Sequence, residues 1–187
     1  EETIRRDLDK LDKEGRVKKT YGGAVLEDLV SEDPSFNDRL TFNMKEKQRI
    51  AKFADELIDD GETVFIDMST TALELVKQVS ASKKFTVITN SLNALVDLSQ
   101  RKNITLITIG GTFKESTLSM EGPMTTKFID HYYVDKTFFS VKAISKERGI
   151  MDSKEHLADI KRHMVKNAKE VILLVDSSKF NHYALMN

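Results

Sequence analysis

Two hydrophobic patterns alternate along the chain: short apolar runs, and longer stretches with apolar positions at helical spacing. Thr63-Val64-Phe65-Ile66 is β-branched and aromatic, which predicts a buried strand. Asp67-Met68-Ser69-Thr70 is a polar turn, and a helical pattern follows, with Thr71 and Glu74 at capping-box spacing. Phe85 to Ser91 and Ile104 to Ile109 are further strands, ending in Thr89-Asn90-Ser91 and Gly110-Gly111-Thr112. Between them Leu92, Leu95, Val96 and Leu98 mark a helix. Strands separated by helix-length segments predict right-handed βαβ units and a parallel sheet with its turns on one edge. The later chain fits this α/β class. A helix is expected over Thr125 to His131, a strand over Lys136 to Ile144, and a last strand over Glu170 to Val175. Before that last strand, Asp152 and Glu155 are expected to cap a helix carrying Leu157, Ile160, Met164 and Ala168.

Ahead of the sheet the pattern differs. Glu1 to Glu14 places Ile4, Leu8 and Leu11 on one helical face, with Gly15 to end it. Thr3, Arg6, Lys10 and Lys13 fall on the opposite face, and Arg5 stands where it can pair with Asp9 at i,i+4. Arg16 to Val25 is short, basic and turn-containing. Glu27 to Phe42 is polar, holds Pro34 and has no period, which reads as a linker. Asn43 then offers an N-cap with Glu46 three residues on, and Ile50, Phe53, Ala54, Leu57 and Ile58 run to a stop at Gly61.

With 187 residues, 40% hydrophobic and 32% charged, the chain can bury one main core beside a small appendage. A formal net charge of −1 restricts any nucleic-acid contact to a local patch. The absence of cysteine excludes disulfides and thiolate metal sites, and His131, His156, His163 and His182 show no ligand pairing on a common helix face. No apolar run approaches the roughly 20 residues that span a bilayer. The expectation is a soluble, cytoplasmic protein without a metal, a cofactor or a membrane partner.

Two stretches carry candidate chemistry. A helix with one basic face, followed by a basic two-stranded flap, is what a winged helix-turn-helix presents to the major groove and the DNA backbone. A solvated surface helix with a hairpin has the same charge pattern. The turn after Thr63–Ile66 joins free backbone N–H groups, a helix dipole and the hydroxyls of Ser69, Thr70 and Thr71, which together suit an anion. An ordinary strand–helix junction would look alike.

Thr3-Ile4-Arg5-Arg6-Asp7-Leu8, Leu11, Gly15 and Lys19-Thr20-Tyr21-Gly22-Gly23-Ala24 resemble the recognition helix and wing of the DeoR family of bacterial transcriptional repressors. Phe36, Arg39, Asn43, Glu46-Lys47 and Ile50-Ala51 match that family's pattern. So do Asp67-Met68-Ser69-Thr70-Thr71, Thr89-Asn90-Ser91, Gly110-Gly111 and Asp176-Ser177-Ser178-Lys179-Phe180. The resemblance implies a sensor domain similar in fold to ribose-5-phosphate isomerase, and repression of a sugar or polyol catabolic operon that is relieved by a phosphorylated sugar. It divides the chain into residues 1–26 as the end of a winged helix-turn-helix, 27–42 as linker and 43–187 as sensor. Family members carry further DNA-binding helices before this helix and more sheet after Phe180, so specific operator binding is not expected of residues 1–187 alone.

The implied DNA contacts are Thr3, Arg5, Arg6, Lys10, Lys18, Lys19, Gly22 and Gly23. The implied effector contacts are Asp67, Ser69, Thr70, Thr71, Thr89, Asn90, Ser91, Gly110, Gly111 and Lys179. Lys179 is a fitting partner for phosphate, and Asn90 and Asp67 for sugar hydroxyls. Operator DNA, a sugar phosphate and further copies of the chain in a homo-oligomer are the expected partners. Two departures leave the sugar and the place of Lys142 open. Ser140-Val141-Lys142-Ala143 follows Phe139 where the family commonly shows Gly-Ala-Asp-Gly, and Met68 stands where serine or alanine is usual. The alternatives are a sugar-phosphate isomerase of the same fold and an oligomeric interaction module with a vestigial pocket. In the isomerases the carboxylates for enediol chemistry align with Ser140 to Ile144, which holds none here.

Overall fold

The computed structural model describes residues 2–13, 17–20, 23–26 and 34–187, with side-chain detail over 4–11 and 34–187. They fall into two compact units, Glu1–Asp33 and Pro34–Asn187. In the first, α1 (Glu2–Lys13) precedes an antiparallel hairpin of β1 (Val17–Thr20) and β2 (Gly23–Leu26), with Thr20 opposite Gly23. Leu8 and Leu11 are half-buried on α1, while Ile4 is exposed.

The second unit opens on α2 (Phe36–Thr41), which corrects the linker reading over its second half. Ser35 and Asp38 form a capping box, and Phe36 is buried in the core. Six residues are too few to display a period, so the cap and a single aromatic anchor carry this helix. Next come α3 (Met44–Glu56), β3 (Thr63–Ile66), α4 (Thr70–Gln78), β4 (Phe85–Thr89), α5 (Leu92–Leu98) and β5 (Ile104–Thr108). A small hairpin of β6 (Thr112–Lys114) and β7 (Ser119–Glu121) leads to α6 (Pro123–Ile129). The chain continues through β8 (Val134–Phe139), a second hairpin of β9 (Ala143–Ser145) and β10 (Gly149–Met151), α7 (Glu155–Lys166) and β11 (Ala168–Leu173). A 3-10 turn at Ser177–Lys179 follows.

The main sheet is parallel throughout, in the order β11-β8-β3-β4-β5. Side chains of β3 alternate between its faces, as a strand's period of two requires. Val64 and Ile66 join Ala51, Leu75, Val87 and Phe138 in one core cluster, while Phe65 joins Ile88, Ile129, Ile160 and Met164 in another. Helices therefore cover both faces, which is why these strands read as continuous apolar runs. Among the described residues no helix is long and apolar enough to cross a membrane.

Three local expectations are corrected. The strand expected over Lys136 to Ile144 is two strands: β8 stops at Phe139, and the next backbone N–H, of Ser140, points to the Asp67 carboxylate. The cap of α4 is Ser69, whose hydroxyl accepts from the Ala72 N–H, so Thr71 and Glu74 lie inside the helix and form no box. Helix α7 has Lys154 at its N-cap without a side-chain bond, because Asp152 is engaged by the Lys161 ammonium.

Candidate functional site

Strand order locates the crevice. From β3 the chain steps outward to β4 and β5, then returns to place β8 on the other side of β3. The connections after β3 and after β8 thus part in opposite directions, and open parallel sheets bind ligands outside the carboxyl ends of such strands. Asp67 stands at this switch point, 1% exposed. Its Oδ1 accepts from the Ser69 N–H at 3.0 Å and the Ser69 hydroxyl at 2.6 Å, and its Oδ2 accepts from the Ser140 N–H at 3.3 Å. Burial pushes its carboxyl up, and Lys161, 3.8 Å away, with these hydrogen bonds, works against that rise. Asp67 therefore pins the two loops that border the crevice.

The remaining expected effector residues fall into two groups flanking β3. Toward β4 and β5, Thr70 and Thr71 are buried in the first turn of α4. The Thr89 hydroxyl accepts from the Ser91 N–H, and the Ser91 hydroxyl accepts from the Ala94 N–H to cap α5. These hydroxyls shape turns. Asn90 is fully buried; its Nδ2 donates to the Met120 carbonyl at 2.9 Å, and its Oδ1 has no partner. Gly110 and Gly111 line a cleft of about 350 Å³ with Thr112, Glu121, Pro123, Met124 and Phe128. A Cβ on Gly111 would lie 2.1 Å from the Thr125 hydroxyl and 2.8 Å from the Glu121 carbonyl, so this close passage requires glycine.

Toward β8 and β11, Lys179 lies among cations that sequence reasoning did not assign to the site. Lys47, on α3, is 4% exposed, and its ammonium donates to the Arg39 carbonyl. Burial pushes the Lys47 ammonium below the usual lysine range, and Lys179 lowers it further. Lys179 is lowered in turn by burial and by Lys142 and Arg39, against the pull of Asp176. The Arg39 side chain lies over the Phe36 ring, 5.7 Å from its centroid, with its Nε buried and unpartnered. Asn43 occupies the N-cap position of α3 at φ 50 and makes no cap bond; its Nδ2 reaches Asp176 Oδ1 at 3.2 Å and Ser178 Oγ at 3.1 Å. Asp176 Oδ1 also accepts from the Ser178 N–H at 2.8 Å, which fixes the loop carrying Lys179. The signal for Arg39, Asn43 and Lys47 was present in the sequence as matched family positions, but Arg39 fell in a stretch read as linker, and Asn43 and Lys47 were read as part of an ordinary helix. Among the described residues no group of histidines and carboxylates could hold a metal ion.

On the first unit, Arg5, Arg6 and Lys10 are exposed along α1. Gly23 opposes Thr20 in the hairpin. Gly22 and the side chains of Thr3, Lys18 and Lys19 lie outside the described residues.

Comparison with known proteins identifies the family of both units. Residues 42–187 match the DeoR C terminal sensor domain, and residues 1–29 match the DeoR-like helix-turn-helix domain. The uncharacterized HTH-type transcriptional regulator YulB of Bacillus subtilis is 38% identical over 182 residues, covering 97% of this chain and 70% of its own. The HTH-type transcriptional regulator GolR of Listeria innocua is 34% identical over 177 residues, covering 95% of this chain and 70% of its own. Among solved structures, ribose 5-phosphate isomerase A of Methanocaldococcus jannaschii superposes with a TM-score of 0.53 at 21% identity, over 74% of this chain and 55% of its own, a likeness of fold alone. A parallel sheet behind a helix and hairpin, matched end to end by regulators, makes this chain a member of the DeoR family of transcriptional regulators, with a DeoR-like helix-turn-helix ahead of a DeoR-type sensor domain.

Proposed function

We propose that this regulator represses a sugar or polyol catabolic operon and releases it when a phosphorylated sugar or polyol binds at the carboxyl edge of the sheet. The observation that carries the reading is the crowding of Arg39, Lys47, Lys142 and Lys179 beside the switch point, two of them held below the usual lysine range by burial and by one another. Asp176, with Glu74 near Lys47 and Asp152 near Lys179, offsets part of that charge, but Asp176 Oδ1 is already engaged by Asn43 and Ser178. A phosphate dianion relieves the repulsion and supplies acceptors for ammonium and guanidinium donors. Asp67 acts through the Ser69 and Ser140 loops, and Asn90 and Gly110-Gly111 receive the carbon chain. Residues 1–26 read the operator through Arg5, Arg6, Lys10 and the hairpin, and residues from α2 onward form the sensor. Relief of repression then requires the effector to favour a conformation that fits the operator poorly, since only differential affinity shifts the balance.

The test is a thermal-shift screen of three- to six-carbon sugar and polyol monophosphates beside their unphosphorylated parents, followed by calorimetry. A ligand of the folded state raises its apparent stability. Stabilisation by phosphorylated compounds, absent for their parents and weakened by Lys179→Met, supports the reading; stabilisation by the parents alone overturns it.

A further inference from the structure

On the other flank of β3, the cleft at Gly110 and Gly111 has the reverse chemistry. Glu121, at the end of β7, is 2% exposed and lines the cleft beside Gly110 and Gly111. Its Oε1 accepts from the hydroxyls of Thr117 and Ser119, the latter at 3.0 Å, so the carboxylate is fixed in orientation. Its Oε2 is buried and has no hydrogen-bond donor. His156 Nε2 lies 2.9 Å from that oxygen without the alignment of a hydrogen bond, and the imidazole is 44% exposed at the start of α7. Asn90 adjoins β7 through Met120, the neighbour of Glu121. Its backbone carbonyl accepts from the Met120 N–H, its Nδ2 donates to the Met120 carbonyl, and its buried Oδ1 is also without a donor.

We infer that Glu121, with His156 and Asn90, is the subsite that reads the hydroxyl pattern of the effector and so sets which sugar or polyol phosphate the regulator answers to. The inference rests on the proposed function and extends it from the phosphate to the carbon chain. Asn90 Oδ1, without a donor, and Glu121 Oε2, met only by the His156 imidazole, suit a ligand rich in O–H groups, because a buried polar atom left unpaired loses its hydration without recompense. A carboxylate accepts two hydroxyl protons and donates none, so it discriminates hydroxyl configuration where a phosphate-binding lysine does not. A site built to hydrogen-bond a substrate hydroxyl rejects the analogue that lacks it by a wide margin.

The experiment titrates the whole chain and its Glu121→Gln, Glu121→Ala and His156→Gln variants with inorganic phosphate and with the tightest-binding monophosphate from the screen. Thermal melts verify that each variant is folded; the glutamine keeps an acceptor for Thr117 and Ser119, and His156 is half-exposed, so Glu121→Gln and His156→Gln preserve the fold. Glu121→Gln is expected to weaken the sugar phosphate by about tenfold or more, as for loss of a charge-assisted bond, with inorganic phosphate unchanged. His156→Gln is expected to weaken it several-fold, and both to reorder the panel of epimers. Wild-type affinity for the sugar phosphate in Glu121→Gln and His156→Gln, or an equal loss for it and inorganic phosphate, overturns the inference while the proposed function stands. If no phosphorylated compound binds wild type, the proposed function falls, and the same variants titrated with unphosphorylated polyols decide Glu121: a selective loss supports it, and no binding or no change overturns it.

Discussion

Replacing Lys47 by methionine removes one ammonium from the cation cluster and keeps an unbranched apolar stem of similar length. Two effects on the empty protein oppose each other. The charged hydrogen bond to the Arg39 carbonyl is lost, worth about 1.5–3 kcal/mol. Burial and the repulsion from Lys179 that depress Lys47 are removed at the same time. The folded protein should therefore lie within about 1.5 kcal/mol of wild type by urea denaturation, where a structural lysine with no opposing charge would lose the whole bond. Binding has no such compensation. Phosphate and sugar phosphates lose a charge-assisted contact, a tenfold to hundredfold fall in affinity by calorimetry. The sign of the pH dependence is a second check. Because Lys47 and Lys179 titrate below their ordinary value of 10.5 when folded, the unfolded chain holds more protons in that window. Their charge opposes folding below the folded pKa, and that penalty fades as pH rises toward 10.5, so wild-type stability gains on the alkaline side while phosphate affinity falls. Lys47→Met should flatten both slopes. Unaltered phosphate affinity in a folded Lys47→Met protein would refute the reasoning.

Gly111→Ala should destabilise the protein by about 1–3 kcal/mol through overpacking against Thr125 and the Glu121 carbonyl, read as a lower urea midpoint at unchanged slope. Lys136 is held at 2.6 Å from Glu62 and 3.3 Å from Asp59; burial lowers its pKa, but the two carboxylates outweigh that and raise it overall. Its stabilisation is full below the unfolded lysine pKa and is lost as pH rises through the folded one, so Lys136→Met should cost about 1.5–3 kcal/mol at pH 7 and progressively less at alkaline pH. On the DNA side, Arg6→Ala in the full-length regulator should reduce operator affinity at fixed salt in a fluorescence-anisotropy titration. Lys18→Ala or Lys19→Ala should weaken all sequences alike and lower the salt slope by about one.

The sheet was legible because buried parallel strands are short apolar runs and each ends in a polar or glycine turn. Thr63–Ile66, Phe85–Thr89 and Ile104–Thr108 all show this directly. The β6–β7 and β9–β10 hairpins were not legible, since three-residue strands such as Thr112–Lys114 and Ala143–Ser145 have no measurable alternation. Nor was the division of labour among polar residues. Serine and threonine after a strand suit an anion as well as a helix cap, and Ser69 and Ser91 serve as caps. Asp67 matched a motif, yet only burial shows that both its oxygens hold loops. Glu121 and Lys47 are charged residues that any hydropathy reading assigns to the surface, and both are buried, with hydrogen bonds to Thr117 and Ser119 and to the Arg39 carbonyl that hydropathy does not show.

The bond that Asn43 makes to Asp176 and Ser178 joins residues 133 and 135 positions apart. Chains grow at about 5–20 residues per second, so roughly 7 to 27 s separate synthesis of the two halves of the cation cluster. During that interval β3, β4 and β5 are already made, and a sheet with both faces partly covered can begin to form. The proposed phosphate site still lacks Lys179 and the loop that carries it. On the proposed function, a nascent regulator is thus blind to its signal until the loop bearing Lys179 is made. Clipping that loop by a protease should leave a helix-covered sheet that no longer answers to the metabolite.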